Sequence, residues 1–551
     1  MTTFRDNTGP GAEGAGRDQA VADADQAVAA PDQGVAGPDQ AVDGEDQAAP
    51  GDQGASGQAS APAGGGWRAA PDRLARLVRR HWIFASALAV AALPRLAALL
   101  GFQPAVLFQL DTYDYLWGAV HVSPNVVNPS GYSLFLWLLR PFHSIMLVVL
   151  LQHLLGLGIA TMVYALARRY GVPGWGATLA AAPVLFDPSQ ILVEQFVMAD
   201  LLAMALLVGA FAILLLPRSP SMWQVITAGL MTGASVTVRP TALPLILLVP
   251  LFLLLRRAGW RRAGASLLAG VIPVVGYMSW FAAVHGSFNL TNSNGLFLWS
   301  RTMSFANCAV IKPPADLQAL CPGAQPGRLA EADPSQRLTP RYYLWNHRTW
   351  QWRGQPAGFV PDTAAFTQAN NGRALRFAIM AIEAQPFSYV GVIATAGAKP
   401  FVTTANNLRF PAVQPHSSGA ASGLVQANQR YEVASIRDYL GSAQGVAGDL
   451  GNGYGTRLES PYSSLMNSYQ RIVFLPGQVL ALIMLTGLAG LILPRRRTAA
   501  AALLWASAAI LIVLPIAEHE YTYRYVLPAV PLACIAAAIA LRKPEHEAAQ
   551  A

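Results

Sequence analysis

The sequence predicts an all-α polytopic membrane protein of about ten transmembrane helices, with a large extracytoplasmic insertion and a disordered N-terminal tail. Three observations predict it. Of 551 residues, 53% are hydrophobic and 12% charged, which is too apolar and too charge-poor for an ordinary soluble globule. Apolar runs of roughly 20 residues, enough to cross a bilayer at ~1.5 Å per residue, recur along the chain. Between them the basic residues fall in short loops, as the positive-inside bias places them.

Residues 1–66 hold eleven acids against two arginines, a net −9, so a total of +8 leaves +17 on the remainder. That excess reads as membrane topology rather than as a nucleic-acid footprint, so the expected partners include membrane lipids and no nucleic acid. In the tail, Asp-Gln pairs begin at Asp18, Asp25, Asp32, Asp39, Asp46 and Asp52, mostly seven apart. A coiled coil does not follow, because Ala and Val occupy the seam and Pro31, Pro38 and Pro50 interrupt any helix. The tail is expected to be a cytoplasmic, disordered spacer.

The basic stretch 73–82 leads into the first span, IFASALAVAALPRLAALLG, whose position and length rule out a cleavable signal. Further spans are expected at 143–167, 174–187, 190–216, 221–238, 240–256, 264–285, 471–493, 498–517 and 522–541. Alternating from a cytoplasmic N-terminus puts Arg168, Arg169, Arg218, the 256–262 run, the 495–497 triplet and Arg542-Lys543 on the cytoplasmic side. Residues 67–285 then carry spans one to seven, 471–541 spans eight to ten, and 542–551 a cytoplasmic tail. Two polar segments are left outside: the loop 102–142, and an insertion over 286–470 long enough to fold as a domain. Cys308 and Cys321 share that insertion and are a candidate disulfide in an oxidising compartment; Cys534 lies in an apolar run and reads as packing.

A charge within a span costs at least ~2.5 kcal/mol, so each one is a functional candidate. Arg95 lies late in the first span, Glu194 and Asp200 in the fourth, Arg239 at the boundary of the fifth and sixth, and Arg524 at the start of the tenth, after EHEYTY. All face the extracytoplasmic half. The bland readings are interfacial snorkelling for Arg239, Arg524 and Asp187, and a structural ion pair between Arg95 and Asp200. In the first loop, Asp111 and Asp114 of DTYDYLWGA are three apart and share a face if helical. They offer either a cation site or a general base with an orienting partner; the competing reading makes Asp111 a helix N-cap. The NPSGY turn at 128–132 is expected to set where the chain re-enters the next span.

These segments together, FQLDTYDYL, NPSGYSLFLWLLRP, EQFVMAD with its Glu194-x5-Asp200 spacing, and YRYVLPAVP, resemble the GT-C superfamily of polyprenyl-phosphate-dependent glycosyltransferases. Protein O-mannosyltransferases and aminoarabinose transferases belong to it. The resemblance extends in architecture over 82–541, but the first loop reads Asp-Thr-Tyr-Asp rather than adjacent Asp-Glu, and the large insertion precedes the last three helices instead of following them. It implies transfer of a sugar, with inversion, from a polyprenyl-phosphate donor to a hydroxyl of an envelope glycan, lipid or protein. Asp111 is then the base and Asp114 its orienting partner; Arg239, Arg524 and Arg95 receive the leaving phosphate. A divalent cation is an alternative to the arginines. His519, between Glu518 and Glu520, joins Glu194 and Asp200 as supporting polar groups.

The segment 341–355 alternates aromatic and hydrogen-bonding residues, which suits either sugar contact or a small core. Residues 376–401 read as one interfacial amphipathic helix. Rival readings are a secondary transporter, which should show internal repeats and midplane charges, and a non-enzymatic lipid- or glycan-handling protein. An Ala-rich, Arg-over-Lys composition points to a bacterial plasma membrane.

Overall fold

The computed structural model describes residues 79–325, 327–330, 333–346, 348–352, 362–403, 408–411, 435–441, 456–493 and 498–542. The acidic tail, the 495–497 arginines and Lys543 lie outside the described residues. Helix α1 (Trp82–Gly101) leads through strand β1 (Phe102–Gln103) to α2 (Gln109–His121), α3 (Gly131–Leu139) and α4 (Ile145–Arg169). Then follow α5 (Gly174–Phe186), α6 (Pro188–Gln195), α7 (Asp200–Leu215), α8 (Met222–Val238), α9 (Leu245–Leu255) and α10 (Trp260–His285). The insertion contributes α11 (Asn294–Thr302), α12 (Gln368–Ala384), α13 (Pro386–Val402), strand β2 (Arg457–Leu458) and α14 (Tyr462–Ile472). The chain closes with α15 (Gly477–Ile492), α16 (Ala499–Glu518) and α17 (Tyr523–Ala540). Among the described residues β1 and β2 pair antiparallel, Phe102 with Leu458.

Helices α1, α4, α10, α16 and α17 are each long and apolar enough to cross a membrane. Three bent pairs, α5–α6 at 51°, α12–α13 at 99° and α14–α15 at 57°, reach that length only together, while α7 and residues 240–255 are shorter apolar helices. Large apolar side chains stand exposed along the helices, among them Leu93, Leu247, Leu268 and Leu482, as a lipid-facing surface requires. The protein is an all-α membrane protein.

Three expectations need correction. The fourth span, 190–216, is not one helix: its start belongs with α5 beyond the bend, residues 196–199 are non-helical, and α7 begins at Asp200. Asp187 accounts for the bend between α5 and α6, capping α6 through a bond accepted from Ser189 N at 3.1 Å, with Pro188 in the first turn. The segment 376–401 is two helices meeting at Gln385, where Pro386 opens the second. Both ends of α13 meet the 517–521 segment: the Tyr389 hydroxyl donates to Ala517 O at 3.0 Å, and Thr403 hydrogen-bonds Tyr521. The third concerns 286–470, whose described residues divide between more than one core. Trp299, Tyr343, Trp350, Trp352, Phe366 and Phe377 build a separate core, whereas Ile436 and Tyr439 pack under α2 and α3, and α14 packs on α1. Cys308 and Cys321 are disulfide-bonded at the edge of the separate core.

With lipid around them, helices associate by close packing rather than by apolar burial. Helices α8 and α10 cross at small residues: a Cβ on Gly233 would lie 2.1 Å from Gly270 O. At one end of the bundle Arg169, Arg256 and Arg542 surround Tyr170, and Arg169 Nε donates to Leu216 O at 2.7 Å. The candidate site lies at the other end.

Candidate functional site

After α1 the chain is tied to the α6–α7 break. Val106 N donates to Gln195 O at 3.0 Å, and Val106 bridges Phe196 in a parallel pair. The Thr112 hydroxyl accepts from Phe108 N at 2.9 Å and donates to Val197 O at 3.2 Å, so it serves the start of α2. Phe108 is the N-cap residue, and Asp111 is the third residue of α2 rather than its cap. Its carboxylate is thereby left for other work. Asp111 and Asp114 share a helical face, and both line the same cavity.

The NPSGY turn brings Arg239 to that cavity. Asn125 Oδ1 accepts from Val127 N and Asn128 N, and Ser130 N donates to the Tyr277 hydroxyl at 3.1 Å. This seats Gly131 against Thr237 O, where an added Cβ would come within 2.6 Å, two residues before Arg239. The extended conformation of Arg239 between α8 and Pro240 turns its side chain off the helix line.

Four charged residues from four elements meet there. Arg239 Nη2 donates to Asp200 Oδ1. Arg524 Nη1 lies 3.4 Å from Asp111 Oδ2, and Arg524 Nε lies 3.8 Å from Asp200 Oδ2. Two carboxylates and two guanidiniums make the tetrad formally neutral. Arg524 is further held by Met198 Sδ at 3.1 Å, by the Tyr525 hydroxyl at 3.2 Å and by the Phe108 ring, 4.6 Å from its guanidinium carbon. Arg524 and Asp200 are buried, whereas the side chains of Asp111 and Arg239 are 28% and 17% exposed. The tetrad therefore has a closed back and an open front. Apart from the bond to Asp200, the Arg239 guanidinium N–H groups make no hydrogen bond among the described residues, while the guanidinium faces the Tyr525 ring at 5.1 Å. Asp200 Oδ2 and Arg524 Nε are likewise without a hydrogen-bond partner there.

The cavity has a volume of about 820 Å³ and is lined by Asp111, Asp114, Asp200, Arg239, Arg524 and His519 among the residues picked out from the sequence. Its other end is built by Arg341, Trp345, Tyr389, Glu518 and Glu520. Most of the 341–355 aromatics are core, Tyr343, Trp350 and Trp352 being buried, and Trp345 reaches the cavity. Burial raises the Glu520 carboxyl, opposed by Arg341, whose backbone N–H lies 3.4 Å from Glu520 Oε2.

Arg95 and Glu194 lie elsewhere. Arg95 spends all five N–H donors: two on Glu194 at 2.8 Å each, and three on Ala91 O, Leu185 O and Val184 O. With no donor left and 3% exposure, it is not placed to receive a phosphate, and its partner is Glu194 rather than Asp200. Glu194 also meets His153 Nδ1 at 2.9 Å, His153 Nε2 meets Gln195 Oε1 at 2.8 Å, and Gln195 donates to Phe102 O. This network holds the 102–106 segment against the α6–α7 break. Sequence reasoning missed Phe108, Met198, Tyr115 and Tyr525 around the tetrad; the nearest signal was the position of Tyr525 inside YRYVLP.

The donor set does not suit a divalent cation. Asp111 is already paired with Arg524, and among the described residues no three His, Cys, Asp or Glu side chains converge.

No protein-family model and no curated protein sequence matches this chain. Among solved structures it is similar to the oligosaccharyltransferase of Archaeoglobus fulgidus, in a crystal form tethered to an acceptor peptide containing the NVT sequon and in the apo form. Identity is 13% in both, with TM-scores of 0.35 and 0.34. The matches cover 84% and 83% of this chain but 49% and 50% of the other, so the chain spans about half the length of that enzyme.

Proposed function

We propose that the protein is a membrane glycosyltransferase of the GT-C type, moving a sugar from a polyprenyl-phosphate donor to an extracytoplasmic acceptor hydroxyl with inversion. The observation that carries this reading is a carboxylate and an incompletely satisfied guanidinium, Asp111 and Arg239, facing one cavity at the end of a membrane bundle. The acceptor oxygen attacks the anomeric carbon and gives its proton to Asp111, while the carbon–oxygen bond to phosphate breaks and its electron pair leaves with the polyprenyl phosphate. Arg239 offers N–H donors to the charge that develops on that phosphate, and Arg524 holds Asp111 from behind. Phosphate is a good enough leaving group to need no general acid. Asp114, one turn on from Asp111, orients the acceptor. On this reading the site end faces outward from a bacterial plasma membrane, and the acceptor is an envelope glycan, lipid or protein.

The test is sugar transfer by purified protein in liposomes, offered labelled polyprenyl-phosphate sugars and an envelope extract, with wild type beside Asp111→Asn. Transfer lost in a folded variant supports both the class and the base. Transfer surviving in the variant keeps the class and moves the base, to Asp114 first. Absence of transfer from every donor, together with substrate uptake by the same liposomes, replaces the reading with that of a secondary transporter.

A further inference from the structure

The end of the cavity remote from Arg239 carries an imidazole whose hydrogen bonding determines which of its nitrogens holds the proton. Ser300 is fully buried and has one hydroxyl proton. That hydroxyl donates to Phe297 O at 2.7 Å, the i−3 carbonyl of its own helix. With the proton assigned to that shorter contact, the 3.0 Å contact with His519 Nδ1 is one in which Nδ1–H donates and the serine oxygen accepts. A neutral imidazole with its proton on Nδ1 presents a bare lone pair at Nε2. The ring is held by the Phe297 edge, with centroids 4.7 Å apart and planes at 83°. Burial, followed by Arg301 and Arg341, pushes His519 down to about 3, so the ring is neutral at physiological pH. Other charged groups around it are Glu518 and Glu520, its chain neighbours, and Lys399 of α13, which acts on Glu520.

The two ends of the cavity differ in the company their polar groups keep. Around Arg239 it offers donors, which suit a phosphate. Around residues 518–520 it offers the His519 imidazole and two carboxyl groups, beside the Arg341 guanidinium and the Trp345 and Tyr389 rings. Polar groups of this kind beside aromatic rings suit a ligand that brings its own O–H groups and an apolar ring face, which describes a sugar. We infer that His519 Nε2 is a fixed hydrogen-bond acceptor for a sugar hydroxyl, and that Ser300 positions it, making this end of the cavity a glycosyl-binding subsite. The inference rests on the glycosyltransferase reading for its role in the reaction, but not for the binding itself.

Two amide replacements separate the atom from the ring. Asparagine reproduces the Nδ1 side of histidine and can still donate to Ser300; glutamine reaches the Nε2 position with a carbonyl oxygen. Full-length protein in nanodiscs is titrated with methyl α-mannoside and methyl β-glucoside, reading tryptophan fluorescence, and KM for transfer is measured in parallel. His519→Ala and His519→Asn are expected to weaken glycoside binding about tenfold, the worth of one hydrogen bond, and His519→Gln to stay within about threefold of wild type. Ser300→Ala, which frees the tautomer, is expected to fall between them in glycoside binding. Rescue by asparagine and not by glutamine makes the ring's bond to Ser300 a structural one and overturns the inference. So does a wild-type protein that transfers sugar yet binds neither glycoside. Glycoside binding with the expected variant order, but no transfer from any polyprenyl-phosphate donor, leaves the subsite standing and removes the glycosyltransferase reading.

Discussion

Two ionic clusters lie in this bundle, built from the same residue types and different in one respect. Around Arg95 and Glu194 every guanidinium N–H is used, and both ring nitrogens of His153 are engaged. Around Arg239, Asp200, Arg524 and Asp111 a carboxylate oxygen and a guanidinium nitrogen are unsatisfied, and two of the four side chains open on a cavity. A closed cluster has no capacity to bind anything further; its charges are retained because removing either one strands the other. An open cluster keeps unspent hydrogen bonds at some cost in stability, which is the ordinary signature of a site.

The two clusters are expected to respond differently to the same kind of change. The largest effect is expected from Arg95→Ala, which leaves Glu194 charged and buried and should cost about 3–5 kcal/mol, seen as loss of a monodisperse peak and of thermal stability in detergent. Asp111→Asn should do the reverse: transfer falls roughly 10²- to 10⁴-fold while the melting temperature hardly moves, because this side chain is partly exposed and singly paired. An unfolded Asp111→Asn protein would erase the contrast. Gly156→Ala addresses the closed cluster again, since its Cβ would stand 2.0 Å from Glu194 Oε1. Overpacking there should cost about 1–3 kcal/mol with little change in the kcat of the protein that does fold. Smallest is Arg239→Lys, which keeps the charge and loses the planar fork. It should raise KM for the donor about tenfold at nearly constant stability, and an unaltered KM would argue that the phosphate binds elsewhere.

The apolar runs were readable in the sequence because membrane insertion depends on local length and hydropathy. Five expected spans accordingly stand as single long helices. The break at 196–199 was not readable: EQFVMAD continues the apolar pattern, and Phe196 leaves the helix because it bridges Val106, ninety residues earlier in the chain. For the site, the cost of a charge in an apolar setting singled out Asp200, Arg239 and Arg524, and aspartates in a short aromatic loop singled out Asp111. The same cost singled out Arg95 and Glu194 with equal force. Phe108 and Tyr525, which flank the Arg524 guanidinium, gave no such signal in a chain with 9% aromatic residues.

By itself, then, the sequence determined that this chain lies in a membrane, that it is helical, and which charges are too expensive to be accidental. Those are properties of composition and of windows a few turns long. Tertiary structure alone decided which of the charges have every hydrogen bond spent and which keep an unsatisfied atom. Satisfaction of a hydrogen-bonding group depends on partners brought from distant segments, as Arg95 finds Val184, Leu185 and Glu194, and Arg524 finds Asp111.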